Sequence, residues 1–426
     1  MDLLRILADQ KAEIERLDIK KLVARKEEKA VDINSKFAQV VIGVRRCGKS
    51  TLCQKVLIES KVKFGYINFD DDRFAKLRLD DFDELLSALY QLNGNFSHLF
   101  LDEVQNICSW PLFVNRMLRQ GMHIILTGSN ANLLSNDLST HLTGRYNEIE
   151  LFPFSFIEFC EAKKVKLSGY STRDISLRKN ALMNYMKIGG FPEIVEGEAP
   201  AHYALHLIST IVKKDVAKRY KVKYEEVLWN LSNSLLETPG AILSPTKLAD
   251  KLNVKSFHTI ENYISYLRNA YLIVTLRKYS SKAIERKLSS KGYSIDMAFI
   301  NDHEDFYKSE GLGWRLENIV ALELLRRIKH AGIGELYYGF KSRVYDVDFV
   351  VTHRGRVTQI IQVCYDFSNP SERLYKREVG NLISAAKVIK CDNLMLLVME
   401  GETGEIKYED YKVKVVDCIE WLLDFS

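Results

Sequence analysis

The chain lacks the features of a membrane, secreted or zinc-ribbon protein. Its first residues, MDLLRILADQKAEIERLDIKK, are broken by a charge every few positions. They therefore lack the apolar core of a signal peptide, and no later run reaches the ~18 apolar residues of a membrane helix. The seven cysteines, Cys47, Cys53, Cys108, Cys160, Cys364, Cys391 and Cys418, contain no CxxC pair. That spacing argues against both a zinc ribbon and a disulfide framework, so reduced thiols, a cytoplasmic location and no membrane partner are expected. Strong charge of either sign is also missing. A formal +5 is compatible with a nucleic-acid partner and does not require one.

The composition, 46% hydrophobic and 27% charged, is that of a globular protein, and 426 residues exceed one ordinary domain. Residues 38–44, AQVVIGV, form a continuous β-branched run, as expected of a strand buried on both faces of a parallel sheet. It leads into Gly43-Val44-Arg45-Arg46-Cys47-Gly48-Lys49-Ser50, the GxxxxGK[ST] pattern, and TLCQKVLIES then reads as a helix beginning at Thr51. Strand, glycine loop and helix stand in the order that phosphate binding needs. Glycines let backbone N–H groups curl round a β-phosphate, the helix N-terminus adds its dipole, Lys49 reaches the β/γ oxygens, and Ser50 ligates Mg²⁺. ATP and Mg²⁺ are the expected ligands, with Thr51 included in the binding loop.

A second acidic strand supports this reading. Ser97-His98-Leu99-Phe100-Leu101 ends in Asp102-Glu103, a Walker B pattern in which Asp102 holds the metal through water and Glu103 polarises the attacking water. His123-Ile124-Ile125-Leu126-Thr127-Gly128 closes on Ser129 and Asn130, candidates to sense a γ-phosphate or simply a strand-end turn. Arg145 follows in Leu142-Thr143-Gly144-Arg145. It is a candidate γ-phosphate contact, in its own subunit or across an interface of a homo-oligomer as an arginine finger, or else a surface partner of Glu148 or Glu150.

These segments, with Asn68-Phe69-Asp70-Asp71-Asp72-Arg73, Leu101-Asp102-Glu103-Val104-Gln105, Leu151-Phe152-Pro153-Phe154-Ser155-Phe156-Ile157-Glu158-Phe159 and Gly189-Gly190-Phe191-Pro192-Glu193, lie in one order over residues 38–195. In that order the chain resembles the AAA-type ATPases of bacteria and archaea that carry a C-terminal domain of the DUF4143 type. The resemblance implies an α/β core with a parallel sheet over 36–155, after an N-terminal helical segment at 1–35, and a helical lid over 156–222.

Residues 223–300 read as a winged helix. Ser244-Pro245 starts a short amphipathic helix, and Ile260, Ile264 and Leu267 share one face of the next. That leaves His258, Thr259, Asn262 and Ser265 facing away, where base edges or phosphates would be met. Arg277, Lys278, Lys282, Arg286, Lys287 and Lys291 then form a basic hairpin-like stretch, a candidate wing for double-stranded DNA or a solvated surface.

From 301 to 426 the order of a helix with Glu317, a strand with Asp346 and Asp348, and a strand with Gln362 resembles the PD-(D/E)xK nuclease fold. The lysine of that motif is replaced by Cys364, and a neutral Gln362 stands where a carboxylate is usual. The expectation is a vestigial site with no cleavage, which Lys376 or Arg377 would restore only by swinging in. Three functions remain open on sequence: an ATPase coupling nucleotide state to DNA, a nucleotide-dependent protein-interaction switch, and an ATP-regulated nuclease.

Overall fold

The structure is a computed structural model that describes residues 2–424 apart from 76, 78–80, 108–109, 131–141, 143, 281–288 and 302–310. The chain divides into two compact units, one of Met1–Pro153 with Asn269–Tyr271 and one of the remaining residues.

The first unit is an α/β layer structure. Strands β1 (Ala38–Ile42), β2 (Phe64–Asn68), β3 (His98–Asp102), β4 (His123–Gly128) and β5 (Tyr146–Glu150) form one sheet in the order β2-β3-β4-β1-β5. All four pairings are parallel. Every residue of β1 and β3 is buried, which explains their unbroken apolar reading, because helices cover both faces of a parallel sheet. Helices α1 (Leu3–Glu15), α2 (Lys49–Glu59), α3 (Phe82–Asn93) and α4 (Trp110–Arg119) supply that cover, and α1 packs on α3 and β2. Because the strands run the same way, their carboxyl ends gather at one edge, where ligands of open α/β sheets bind. The glycine loop, Asp102-Glu103 and Ser129-Asn130 all stand at that edge.

The second unit contains a nine-stranded mixed sheet, in the order β13-β14-β12-β11-β10-β9-β7-β8-β6. Its strands are β6 (Ile242–Leu243), β7 (Ile273–Lys278), β8 (Ser290–Ser294), β9 (Glu335–Lys341), β10 (Tyr345–His353), β11 (Arg356–Asp366), β12 (Leu394–Glu400), β13 (Gly404–Tyr408) and β14 (Tyr411–Asp417). The boundary expected between 300 and 301 runs through this sheet: β7 pairs antiparallel with β8 and parallel with β9. The hairpin read as a wing is thus continuous with the C-terminal strands.

Helices Pro245–Lys251 and Phe257–Asn269 precede that hairpin. Ser244 caps the first through its hydroxyl, which accepts from the Lys247 N–H, and proline stands at the first helical position. On the second, Ile260 and Leu267 are fully buried while His258 and Asn262 are exposed, and Thr259, Ile264 and Ser265 lie between. The Gly189-Gly190-Phe191 segment is held by buried Asp296, whose carboxylate accepts from the Gly190 N–H (2.8 Å) and the Ala298 N–H (2.8 Å). Among the described residues, no helix is long and apolar enough to cross a membrane.

Candidate nucleotide site

The loop between β1 and α2 is built on two glycines that no other residue would replace without strain. A Cβ on Gly43 would stand 2.0 Å from the Leu151 carbonyl oxygen, and Gly48 adopts φ 97° where it caps α2. The helix therefore begins at Lys49 with its first N–H groups facing the loop, an anion site without any side chain. The loop is braced from below by a residue that sequence reading passed over. Buried Arg25 donates to the carbonyls of Cys47 (3.1 Å) and Phe152 (2.6 Å). Glu28, three residues on, accepts from the Arg25 N–H and from the Lys55 ammonium at 2.8 Å. Burial pushes the Cys47 thiol up, and its Sγ contacts the Leu151 carbonyl at 3.3 Å, so this loop cysteine is a packing group.

Lys49 is 3% exposed. Its ammonium donates to the Val44 carbonyl at 3.0 Å and faces Glu103 Oε1 at 3.8 Å. Ser50 Oγ donates to Asp102 Oδ1 at 2.8 Å, Thr127 Oγ1 donates to the same oxygen, and the Tyr66 hydroxyl reaches Oδ2 at 3.2 Å. Burial, followed by the adjacent Glu103 charge, pushes the Asp102 carboxyl up to about 6, against the hydrogen bonds of Thr127 and Ser50.

Glu103 stands in the left-handed region at φ 52°, a conformation that costs a non-glycine residue energy and concentrates at functional sites. Its N–H donates to Thr127 Oγ1 at 3.0 Å, and its side chain accepts from Gln105 Nε2, which also reaches Ser129 Oγ at 3.1 Å. Ser129 is thereby tied to Glu103, and Asn130 is buried beside it in sequence, at 1% exposure. Within the loop, Arg45 pairs with Asp70 at 3.3 Å, and Asn106 donates to the same carboxylate.

Arg145 does not join this cluster. Tyr146 of β5 pairs with Ala38 at the start of β1, and the Ala38 N–H donates to the Arg145 carbonyl. Arg145 thus stands at the amino edge of the sheet, exposed, a five-residue strand from the loop. At ~3.3 Å per residue that is about 16 Å, more than an arginine side chain spans. Arg145 therefore stands apart from the glycine loop of its own chain.

Residues 35–160 match the model of the AAA domain, and residues 179–308 match a domain of unknown function, DUF8612, in place of the DUF4143 type that the motifs suggested. The chain is 32% identical to the uncharacterised protein MJ1544 of Methanocaldococcus jannaschii over 98% of this chain and 97% of that one. The chain belongs to the MJ1544 family. A protein of Haemophilus influenzae is 30% identical over 91% of this chain and 94% of its own. Residues 35–160 of this chain are thus a P-loop AAA-type ATPase domain, and Lys49 and Asp102 lie within it. Among solved structures, the chain is similar to the Thermotoga maritima RuvB Holliday junction branch migration motor (TM-score 0.28, 16% identity, 62% of this chain, 88% of that one). It is also similar to AMPPCP-bound DnaA from Aquifex aeolicus (TM-score 0.29, 15% identity, 59% and 90%). Likenesses of that degree carry no argument about this chain.

In the second unit the structure brings Glu317, Asp348 and Gln362 together and adds a residue the sequence did not offer for this place. Lys291, expected on the basic hairpin surface, is 9% exposed, and its ammonium lies 3.4 Å from Glu317 Oε1 and 4.0 Å from Asp348 Oδ1. Burial lowers its proton affinity, but Glu317, Asp348 and Asp346 together raise it further, so the ammonium stays charged. Asp346 is exposed. Cys364 is buried, and burial pushes its thiol up to about 12. Lys376 is exposed, and Arg377 is committed to Glu378 at 2.5 Å. Among the described residues, the cation facing these carboxylates is Lys291. Lys282, Arg286 and Lys287 lie outside the described residues.

Proposed function

We propose that the chain is a magnesium-dependent ATPase whose nucleotide state is coupled to duplex DNA held by the second unit. The observation that carries the first half is the convergence of Lys49, Ser50, Asp102 and Glu103 under a glycine loop at the carboxyl edge of one parallel sheet. Residues 43–51 cradle the phosphates. Lys49 leaves the Val44 carbonyl and Glu103 for the β/γ oxygens, where its charge is better matched. Ser50 and Asp102, with Thr127 beside them, are hard oxygen donors that fit Mg²⁺, which when bound would offset charge on the β- and γ-phosphates. Glu103, freed of Lys49 and steadied by Gln105, orients the attacking water and takes its proton. Ser129 and Asn130 read the γ-phosphate from the end of β4.

Arg145, placed beyond reach of its own loop, suits a finger supplied to a neighbouring subunit of a homo-oligomer. Mixing Arg145→Ala with Glu103→Gln protein should then recover part of the turnover, because each lends what the other lacks at a shared site. No recovery at any ratio would leave Arg145 a surface residue.

For the DNA half, support comes from the helix pair Pro245–Lys251 and Phe257–Asn269, with exposed His258 and Asn262, followed by a β-hairpin. Burial of Lys291 removes one charge from that hairpin, and the pairing of β7 with β9 gives it a structural task. Those two facts favour a second reading, in which the unit is the protein-binding arm of a nucleotide switch. ATP turnover measured with and without duplex DNA, alongside solution mass and a salt series, separates them: stimulation by DNA with steeply salt-dependent binding supports the first, and turnover and mass indifferent to DNA support the second.

A further inference from the structure

The carboxylate pair of the second unit is one that a nuclease-like fold would use to hold a divalent cation, and its surroundings do not suit one. Glu317 Oε1 accepts from the Tyr293 hydroxyl at 2.7 Å as well as facing Lys291. Asp348 Oδ2 accepts from the Val363 N–H at 2.9 Å, while its Oδ1 faces Lys291. The Gln362 side-chain oxygen, the neutral substitute for a carboxylate, is turned to the Asp348 N–H at 3.2 Å. Magnesium takes about six oxygens at ~2.1 Å and parts with water reluctantly. Here Glu317 Oε1, Asp348 Oδ2 and the Gln362 oxygen each already accept from a protein donor, and the Lys291 ammonium stands between the two carboxylates. Among the described residues, no group of three His, Cys, Asp or Glu side chains is arranged to hold a metal.

A positive charge is nonetheless present. Lys291 enters from β8, faces Glu317 of the helix Leu312–Ala331 and Asp348 of β10, and lies 5.6 Å from the centroid of the Tyr338 ring on β9. A buried Asp348 and a half-buried Glu317 with no counter-charge would repel each other and lose hydration, and a buried ammonium between them answers both costs. We propose that Lys291 is the resident cation of this pair: its ammonium takes the place of a divalent ion, excludes metal, and pins the hairpin to the helix and strand that carry Glu317 and Asp348. The inference stands apart from the ATPase reading, since every residue in it belongs to the second unit.

The test uses the full-length chain without nucleotide and with Asp102→Asn, so that the P-loop unit takes up no ion. Binding of Mn²⁺ is read from loss of the free-ion electron paramagnetic resonance signal. With Lys291 in place no Mn²⁺ should be bound at submillimolar concentration. With Lys291→Ala added, a single ion per chain should be bound, and Asp348→Asn should abolish that binding. Mn²⁺ uptake by the chain that keeps Lys291, lost on Asp348→Asn, overturns the proposal, and this arm needs no Lys291 variant to fold. A Lys291→Ala chain that keeps its far-ultraviolet circular dichroism yet binds no ion also overturns it, and Lys291→Gln serves the same arm if alanine is not tolerated.

Discussion

Lys49 and Lys291 are both buried and both face carboxylates, and their settings differ. Lys49 stands beside a loop of backbone N–H groups at the start of a helix, with a carbonyl and a glutamate as its partners. Lys291 is enclosed by Glu317, Asp348 and the Tyr338 ring. A lysine with exchangeable partners and an anion cradle is built to bind. A lysine whose partners are two fixed carboxylates is built to hold.

The widest separation between the two should appear on removing each ammonium. Lys49→Ala should weaken ATP binding about a hundredfold or more, because a desolvated charge pair with the phosphates is lost, while denaturant unfolding stays close to wild type. Calorimetry showing unchanged ATP affinity would break the assignment. Lys291→Ala should do the reverse, leaving nucleotide affinity intact and costing about 3 kcal/mol in urea unfolding, as expected when one partner of a buried ion pair is removed. An unfolding midpoint equal to wild type would mean that the pair holds nothing.

A smaller effect is expected from pH. With the Asp102 carboxyl pushed up to about 6, protons compete for the oxygen that the metal needs. Magnesium-dependent ATP affinity should be level above pH 7 and fall about tenfold for each unit below 6. Binding of the nucleotide without magnesium should lack this step. A magnesium-dependent component that stays flat down to pH 5 would place the metal elsewhere.

Much of the first unit was legible because its chemistry is local. Gly43, Gly48, Lys49 and Ser50 fall within eight consecutive positions, and Asp102-Glu103 end a strand whose apolar run announces burial on both faces. The residues that escaped notice act through space. Arg25 meets the loop from 22 positions away, Tyr66 reaches Asp102 across 36, and Lys291 reaches Glu317 across 26. No spacing rule links such pairs, since the fold sets their meeting.

The replacement of the motif lysine by Cys364 was visible, but a strand outside the motif supplied the charge. Lys291 itself was read as surface because basic runs in hairpins are usually solvated. The place of Arg145 at the amino edge of the sheet likewise follows from β5 running parallel to β1, which residue type does not encode.

The central claim is that Glu103 does chemistry while the loop and Lys49 do binding. Measuring ATP affinity and single-turnover hydrolysis side by side in wild type and Glu103→Gln tests it most directly. The account predicts affinity within about twofold and hydrolysis slowed about a hundredfold or more, the loss typical of one general base. Hydrolysis at the wild-type rate, with ATP bound as tightly, would contradict it.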